Sequence, residues 1–436
     1  MFKTLGNAIK NKEIRKSIII TLLLLLVYRL GCFLPTPGLN RSLYASITDN
    51  KEELRGIMSL LNAVTGSALS NAAIFALGVT PYINASIIVQ LLAVAIPPLE
   101  RLSKEGDEGR QKINLITKIV ALILALVQGL GIVIGLGVDP IDPIFGPNLK
   151  WLTSIVVVII LMAGTCFTIW LGDKITEQGV GNGLSLIIFV GIIATAAQSI
   201  VNAISNIALD SKYLWDLVGF LVLVVIIFFL IVFVDFGERR ISVQYTKQIK
   251  GRKMYGGQQS YIPLKVNAGG VMPIIFASAI ITFPSLIMAL CGVSKGDGWF
   301  ADFWYTYLGT GSVIYNILTA LLIVFFAYFY STMQFNPGDI SLNIQQHGGF
   351  IQGIRPGKPT KEYLKKVSHR ITLFGAIFLA FIALVPSVLF SAAAGSSQGL
   401  LNSFTATGML IVVSISVEIK EQLDAQLMMK RHKNIL

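Results

Sequence analysis

An all-α membrane protein that crosses the bilayer ten times is the fold class predicted by this sequence of 436 residues. Three observations predict it. Mean hydropathy is +0.71 and charged residues make up 13%, about half of the ~25% usual in soluble domains. Apolar residues reach 54%, more than a soluble fold hides behind so little charge, and they gather into runs near the ~20 residues that cross a ~30 Å hydrocarbon layer. The loops between the runs alternate between basic and charge-poor. The same figures exclude a disordered chain. The net charge of +12 belongs to the loops and is not by itself a nucleic-acid footprint.

The first run, Ser17–Phe33, follows Lys10, Lys12, Arg15 and Lys16. A cleaved signal peptide begins in the same way, but Arg29 stands where a lipoprotein-type site would need an aliphatic residue. The second run, Ala72–Ile96, contains Gly78-Val79-Thr80-Pro81. Proline removes a helical donor and clashes with the preceding turn, so this span kinks or restarts at Pro81. Ahead of it, Gly56–Ala72 is apolar but broken by Gly66, Ser67, Ser70 and Asn71. Its uninterrupted part, Ile57–Thr65, is too short to span. It is either a re-entrant or cavity-seated helix, since irregular backbone at membrane depth must be buried in protein or line water, or a helix on the outer surface. Ile119–Val138, Leu152–Leu171, Leu184–Ile204, Leu217–Val234, Val271–Leu290, Val313–Met333, Ile371–Phe390 and Leu400–Val417 complete the ten, each uninterrupted by Asp, Glu, Lys, Arg or His.

With the N-terminus inside, the inner segments carry 28 of the 35 Lys and Arg residues and the outer loops 6. That asymmetry places both termini in the cytoplasm. An odd number of spans would put Lys430, Arg431 and Lys433 outside. The remaining cation, Arg29, is the one ionisable group within a span; near the outer end of span one it can snorkel or pair. Ion-coupled carriers keep buried ionisable groups for the coupling ion or substrate, so a secondary transporter is restricted to one for a neutral small solute.

No enzyme chemistry is visible. The three histidines, His347, His369 and His432, fall in cytoplasmic segments, and neither HExxH nor GxSxG nor a P-loop is present. Cys32, Cys166 and Cys291 make no close-spaced pair, so neither a disulfide nor a metal framework is expected, and no cofactor. Two cytoplasmic loops exceed what orientation requires. Asp235–Asn267 carries Arg239, Arg240, Lys247, Lys250, Arg252, Lys253 and Lys265 with Tyr245, Tyr255 and Tyr261 between them. Weak alternation over Arg240–Tyr245 suggests a hairpin. Phe335–Arg370 holds Gly348-Gly349, the turn-forming Arg355-Pro356-Gly357, and Lys358, Lys361, Lys365, Lys366 and Arg370. Such surfaces suit anionic lipid or an acidic partner, whether RNA or protein.

Four stretches together resemble the SecY family of protein-translocation channels: Gly78–Leu92 (GVTPYINASIIVQLL), Trp170–Ile188 (WLGDKITEQGVGNGLSLII), Pro263–Ser278 (PLKVNAGGVMPIIFAS) and Phe335–Gly357 (FNPGDISLNIQQHGGFIQGIRPG). They occur in the family's order and the resemblance covers essentially the whole chain. It implies two pseudo-symmetric five-helix halves around an hourglass pore, here residues 1–206 and 207–436, with cytoplasmic docking loops at about 235–268 and 334–370. A plug helix would occupy about 57–70, with Ile57, Leu60, Leu61, Val64 and Leu69 as its apolar positions. The pore ring would be Ile83, Ile87, Leu184, Ile188, Ile275 and Ile411, and a lateral gate would lie between spans two and three and spans seven and eight. Arg239, Arg240, Lys247, Lys250, Arg252, Lys253, Arg355, Pro356 and Gly357 would dock the SecA ATPase or the ribosome through its rRNA. SecE and SecG would be companion subunits, signal-sequence-bearing polypeptides the cargo, and a bacterial cytoplasmic membrane the location.

Three departures stand out. Gln352 replaces a usual proline, Gln345 and Gln346 replace frequent lysines, and Leu184 replaces a common isoleucine. The physics agrees with the resemblance. A conduit for any polypeptide cannot keep a fixed charged site, and an aliphatic waist can gate by dewetting. Apolar segments gain by leaving a wet pore for lipid.

Overall fold

The computed structural model describes residues 10–39, 62, 65–136, 149–207, 212–245, 248–250, 253–255, 259–267, 269–290, 293, 298–309, 312–392 and 406–433. Its helices are α1 (Lys12–Gly31), α2 (Thr80–Ala95), α3 (Pro97–Lys104), α4 (Asp107–Leu136), α5 (Lys150–Gln178), α6 (Gly183–Ile207) and α7 (Lys212–Asp235), then α8 (Met272–Leu290), α9 (Trp299–Tyr307), α10 (Val313–Gln334), α11 (Pro337–Gln346), α12 (Lys358–Ala392) and α13 (Ala406–Lys433). A helix thus lies over each of the ten apolar runs. Among the described residues, five stretches are long and apolar enough to cross a membrane alone: Asp107–Val133, Lys150–Gln178, Gly183–Val201, Val313–Gln346 and Lys358–Val385. α2 with Pro97–Ser103 makes a sixth, bent by 106°. The bend has a local cause. Ile96 precedes Pro97 and is forced into extended backbone (φ −107°, ψ 113°), which ends the helix.

The expected restart of span two is observed. The helix begins at Thr80 with Pro81 in its first turn, where a missing N–H costs nothing. Gly78 turns the chain into it at φ +51°, a conformation open to glycine. α1 is 20 residues long, about 30 Å at 1.5 Å per residue. Asn11 caps it by accepting from the Glu13 amide at 3.2 Å. Ile14, Thr21, Leu25 and Tyr28 are buried on one stripe, whereas Leu22, Leu23, Leu26 and Leu30 are exposed, as lipid-facing side chains are.

The chain separates into two compact units: Met1–Phe220 with Ala279–Tyr315 and Phe390–Leu436, and Leu221–Ser278 with Asn316–Leu389. In the first, α5 packs by small and hydroxyl residues. Thr153, Gly164, Thr165, Thr168 and Gly172 lie on its buried stripe, the composition that lets helices approach closely in lipid. A Cβ on Gly164 would stand 2.2 Å from the Ile74 carbonyl oxygen, and one on Gly183 2.0 Å from that of Gly172. Gly164→Val is therefore expected to destabilise by about 1–3 kcal/mol, read as a lower thermal midpoint in detergent. Gly219→Ala, where nothing lies within 4 Å of the new carbon, should leave the midpoint unchanged.

In the second unit a sheet caps the helices. β1 (Glu238–Tyr245) is its centre, antiparallel to β4 (Gln259–Lys265) on one side and β5 (Gly349–Ile351) on the other. β2 (Gln248–Lys250) and β3 (Lys253–Tyr255) form a separate two-stranded ribbon. Alternation decides the faces. Ile241 and Val243 point inward onto Leu264, Ile344, Ile351 and Leu364, while Arg240 and Ser242 point out. Beneath it α10 and α12 are tied by a Ser331–Thr372 hydroxyl pair at 2.8 Å and by the Tyr328 hydroxyl donating to the His369 carbonyl at 3.3 Å.

Candidate functional site: the broken second span, the ring positions and the docking sheet

Just ahead of α2 the described residues 66–79 are not helical. Residues 66–79 run in turns, yet Leu69, Ala72, Ala73, Phe75, Ala76, Leu77 and Val79 are buried. Without water at this depth every backbone group needs a protein partner. Several partners are visible. The Tyr28 hydroxyl donates to the Thr65 carbonyl at 3.3 Å, Arg29 Nη1 to Gly66 at 3.0 Å, and Thr168 Oγ1 to Gly78 at 3.1 Å. The Thr36 amide donates to Ala72 at 2.8 Å and the Ile74 amide to Leu34 at 2.9 Å. Side chains of α1 and α5 thus replace the missing helical ladder.

Arg29 is the expected pairing made specific. Its partner is a backbone carbonyl, and its guanidinium lies 5.2 Å from the Phe33 ring centre. Gly66 has φ +68°, and a Cβ there would meet Arg29 Nη1 at 2.6 Å and Gly191 Cα at 2.9 Å. Neighbouring rings continue the clamp. Tyr28 stacks on Phe75 at 5.9 Å and Phe75 on Phe167 at 5.8 Å. Of the five expected plug positions, Leu69 is described and buried; Ile57, Leu60, Leu61 and Val64 lie outside the described residues.

The ring positions stand on four helices. Ile83 and Ile87 are on α2, which packs on α4; Leu184 and Ile188 are on α6, which packs on α13, the bearer of Ile411. Ile87, Ile188 and Ile411 are buried, and Ile83 and Leu184 half-buried. Leu184 fills the notch left by Gly172, where a Cβ would meet its Cδ2 at 2.5 Å. Ile275 belongs to the second unit, in the first turn of α8, with its carbonyl accepting from Ser278 Oγ at 3.0 Å.

The two long basic loops share one sheet. The expected hairpin is the β1–β4 pair, with Ser242 opposite Tyr261; the third strand comes from the other loop, with Val243 opposite Ile351. Sequence reading missed this strand, whose only signal is Phe350-Ile351 between a glycine pair and Gln352. Arg239 and Arg240 are exposed on β1. Arg240 is already engaged: its Nε lies 2.6 Å from Glu238 Oε1 and its guanidinium 4.8 Å from the Tyr261 ring centre. The hydrogen bond to Glu238 raises the arginine pKa further. Arg355 is exposed on a turn held from three sides. Its carbonyl accepts from Thr360 Oγ1 at 2.8 Å, the Gly357 carbonyl accepts from Ser341 Oγ at 2.8 Å, and Gly357 takes φ +96°. With Gln345, Phe350 and Pro356 it lines an open groove of about 620 Å³. Lys250 and Lys253 stand in β2 and β3; Lys247 and Arg252 lie outside the described residues.

Apolar helices, a span broken by turns and a basic sheet built from two loops are together the parts of a protein-conducting channel. The solved structure entitled "The structure of a protein conducting channel" aligns over 94% of this chain and 92% of its own with a TM-score of 0.65 at 19% identity. "Sec61 in the Canine ribosome-channel complex from the endoplasmic reticulum" aligns over the same shares with a TM-score of 0.57 at 17% identity. The SecY family model matches residues 73–420. The Protein translocase subunit SecY of Streptomyces coelicolor is 39% identical over 449 residues, covering 100% of both chains. That of Escherichia coli K12 is 38% identical over 435 residues, covering 97% of this chain and 94% of its own. This chain belongs to the SecY family.

Proposed function

We propose that this chain is the channel subunit of a bacterial protein translocon. It passes unfolded secretory polypeptides across the cytoplasmic membrane and releases apolar segments sideways into lipid through a gate between spans two and three and spans seven and eight. One observation carries the reading, together with family membership. The irregular stretch leading into α2 is held by side-chain bonds to the carbonyls of Thr65, Gly66 and Gly78, in an apolar scaffold whose one Lys or Arg within a span, Arg29, takes part in that hold. Nothing in such spans fixes a charged substrate, and a passing chain of any sequence meets no trap.

In this reading the ten apolar helices all span, the halves are 1–206 and 207–436, and both termini lie in the cytoplasm. Ile83, Ile87, Leu184, Ile188, Ile275 and Ile411 form the seal, and the segment at about 57–70 is the plug. The sheet and the Arg355 turn dock SecA or the ribosome, and SecE and SecG accompany the chain. The test is reconstitution in proteoliposomes with motor, ATP and a signal-bearing polypeptide. Protease-protected cargo is expected; counterflow of a neutral small solute without polypeptide transport would overturn the reading.

The Thr65–Gly66 end of the plug segment is pinned by α1, so Arg29→Leu should loosen it. A hydrogen bond from a charged donor contributes about 1.5–3 kcal/mol, so the closed-to-open ratio should fall at least about tenfold. The measurement is ion conductance in planar bilayers. A conductance equal to wild type would show that Arg29 does not hold the plug. A cysteine at Leu60 should be shielded from an outside thiol reagent at rest and react during translocation.

A further inference from the structure

The nine-residue helix α9 (Trp299–Tyr307), with the sequence WFADFWYTY, carries none of the ring, plug or docking positions named above. We propose that it is an interfacial anchor, lying in the plane of the membrane with an aromatic face in the headgroup–acyl boundary beside the start of α10. At 3.6 residues per turn Trp299, Phe303, Tyr307, Phe300 and Trp304 cover one continuous arc of about 140°. Asp302 and Thr306 border the arc on one side. Ala301 borders it on the other and is buried, only 3% exposed. The helix therefore has three faces: one on protein, one polar, and one aromatic. The aromatic face is open, with Trp299 82%, Phe300 49%, Phe303 48% and Tyr307 47% exposed.

The attachment fixes its depth. Ser312 joins the two helices: its hydroxyl donates to the Tyr307 carbonyl that ends α9 and accepts, at 3.1 Å, from the Tyr315 amide in the first turn of α10. The apolar helix so capped begins with Val313, 73% exposed, and Ile314, 47% exposed. The aromatic face is thus continuous with a lipid-facing flank at the point where that flank meets the interface. Trp and Tyr are the residues that settle there, and interfacial helices seat their apolar face about 5–10 Å into the boundary. No Lys or Arg lies in Trp299–Tyr307, so the occupant is the uncharged boundary of the bilayer and not an anionic headgroup.

The side of the membrane, outer, rests on the proposed topology; the seat does not. The test uses the full chain with Trp151, Trp170 and Trp215 replaced by Phe, in phosphatidylcholine vesicles carrying bromine shallow or deep on the acyl chains. Blue-shifted emission is expected. Shallow bromine should remove most of it, deep bromine less, and added phosphatidylglycerol should change nothing. Quenching by aqueous iodide in place of brominated lipid would overturn the proposal, and so would blue-shifted emission that neither quenches, which means a protein partner covers the face. A second measurement keeps all tryptophans: a nitroxide on Phe303→Cys, the other cysteines being alanine, should relax more with oxygen than with a water-soluble nickel complex. Labelling of Phe303→Cys from the cytoplasmic side, with lipid quenching retained, would leave the anchor standing and overturn the topology.

Discussion

Arg355→Glu is expected to cut translocation at least about tenfold, the equivalent of ~1.4 kcal/mol in docking, while the protein still inserts and folds. The expectation rests on how the arginine is presented. Thr360 and Ser341 hold the turn by its carbonyls, and Gly357 takes the left-handed conformation that closes it. A pre-organised guanidinium binds a carboxylate or phosphate with little further ordering. Reversal replaces attraction with repulsion at the same fixed point. Arg240→Glu should cost less, because Arg240 already shares its charge with Glu238 and its face with Tyr261. Lysine changes on the same loops should matter most at low salt, since exposed charges are screened within about 8–10 Å at physiological ionic strength. The measurement is cargo protection in vesicles, with the amount of inserted channel determined in parallel. Full activity from the Arg355→Glu channel would remove this residue from the docking surface.

Ile87→Asn combined with Ile188→Asn should turn a closed channel into an ion leak several times larger than wild type in planar bilayers. Both side chains are buried. An aliphatic constriction excludes water because wetting it gains no hydrogen bonds; two amides provide them and stabilise a water column. Ile87→Val with Ile188→Val keeps the surface apolar and should stay tight. Leu184 is the informative comparison, because it sits in the notch of Gly172. Leu184→Ala should lower stability as well as the seal. If the asparagine pair conducts no more than wild type, these positions do not form the seal.

The apolar helices were legible because hydropathy is written residue by residue, and the restart at Thr80 was legible because Pro81 has one local meaning. The partner of Arg29 was not. A lone arginine in an apolar run announces that something pairs with it, but its partner is a backbone carbonyl at Gly66, which every residue type possesses. Leu184 was placed in the ring by the family resemblance; its seat on Gly172 depends on a helix joined through a turn, which a matched motif does not contain. The third strand was invisible for another reason. Gly349–Ile351 is three residues long, too short for alternation to register, and it is paired with β1 far away in the sequence.

That strand has a consequence for how the molecule is made. Val243 and Ile351 are paired though separated by roughly 100 residues, a closure whose entropic cost grows only slowly with loop length. The segments between them include α8 and α10, both apolar. During synthesis β1 and β4 emerge early, and the β5 edge of β1 stays open until α8, α10 and then Gly349 have followed. If this sheet is the docking surface proposed above, a nascent chain presents no finished receptor for a motor or a ribosome until β5 has been made. On that reading recruitment competence arrives late, as a by-product of strand order, with only α12 and α13 still to follow β5.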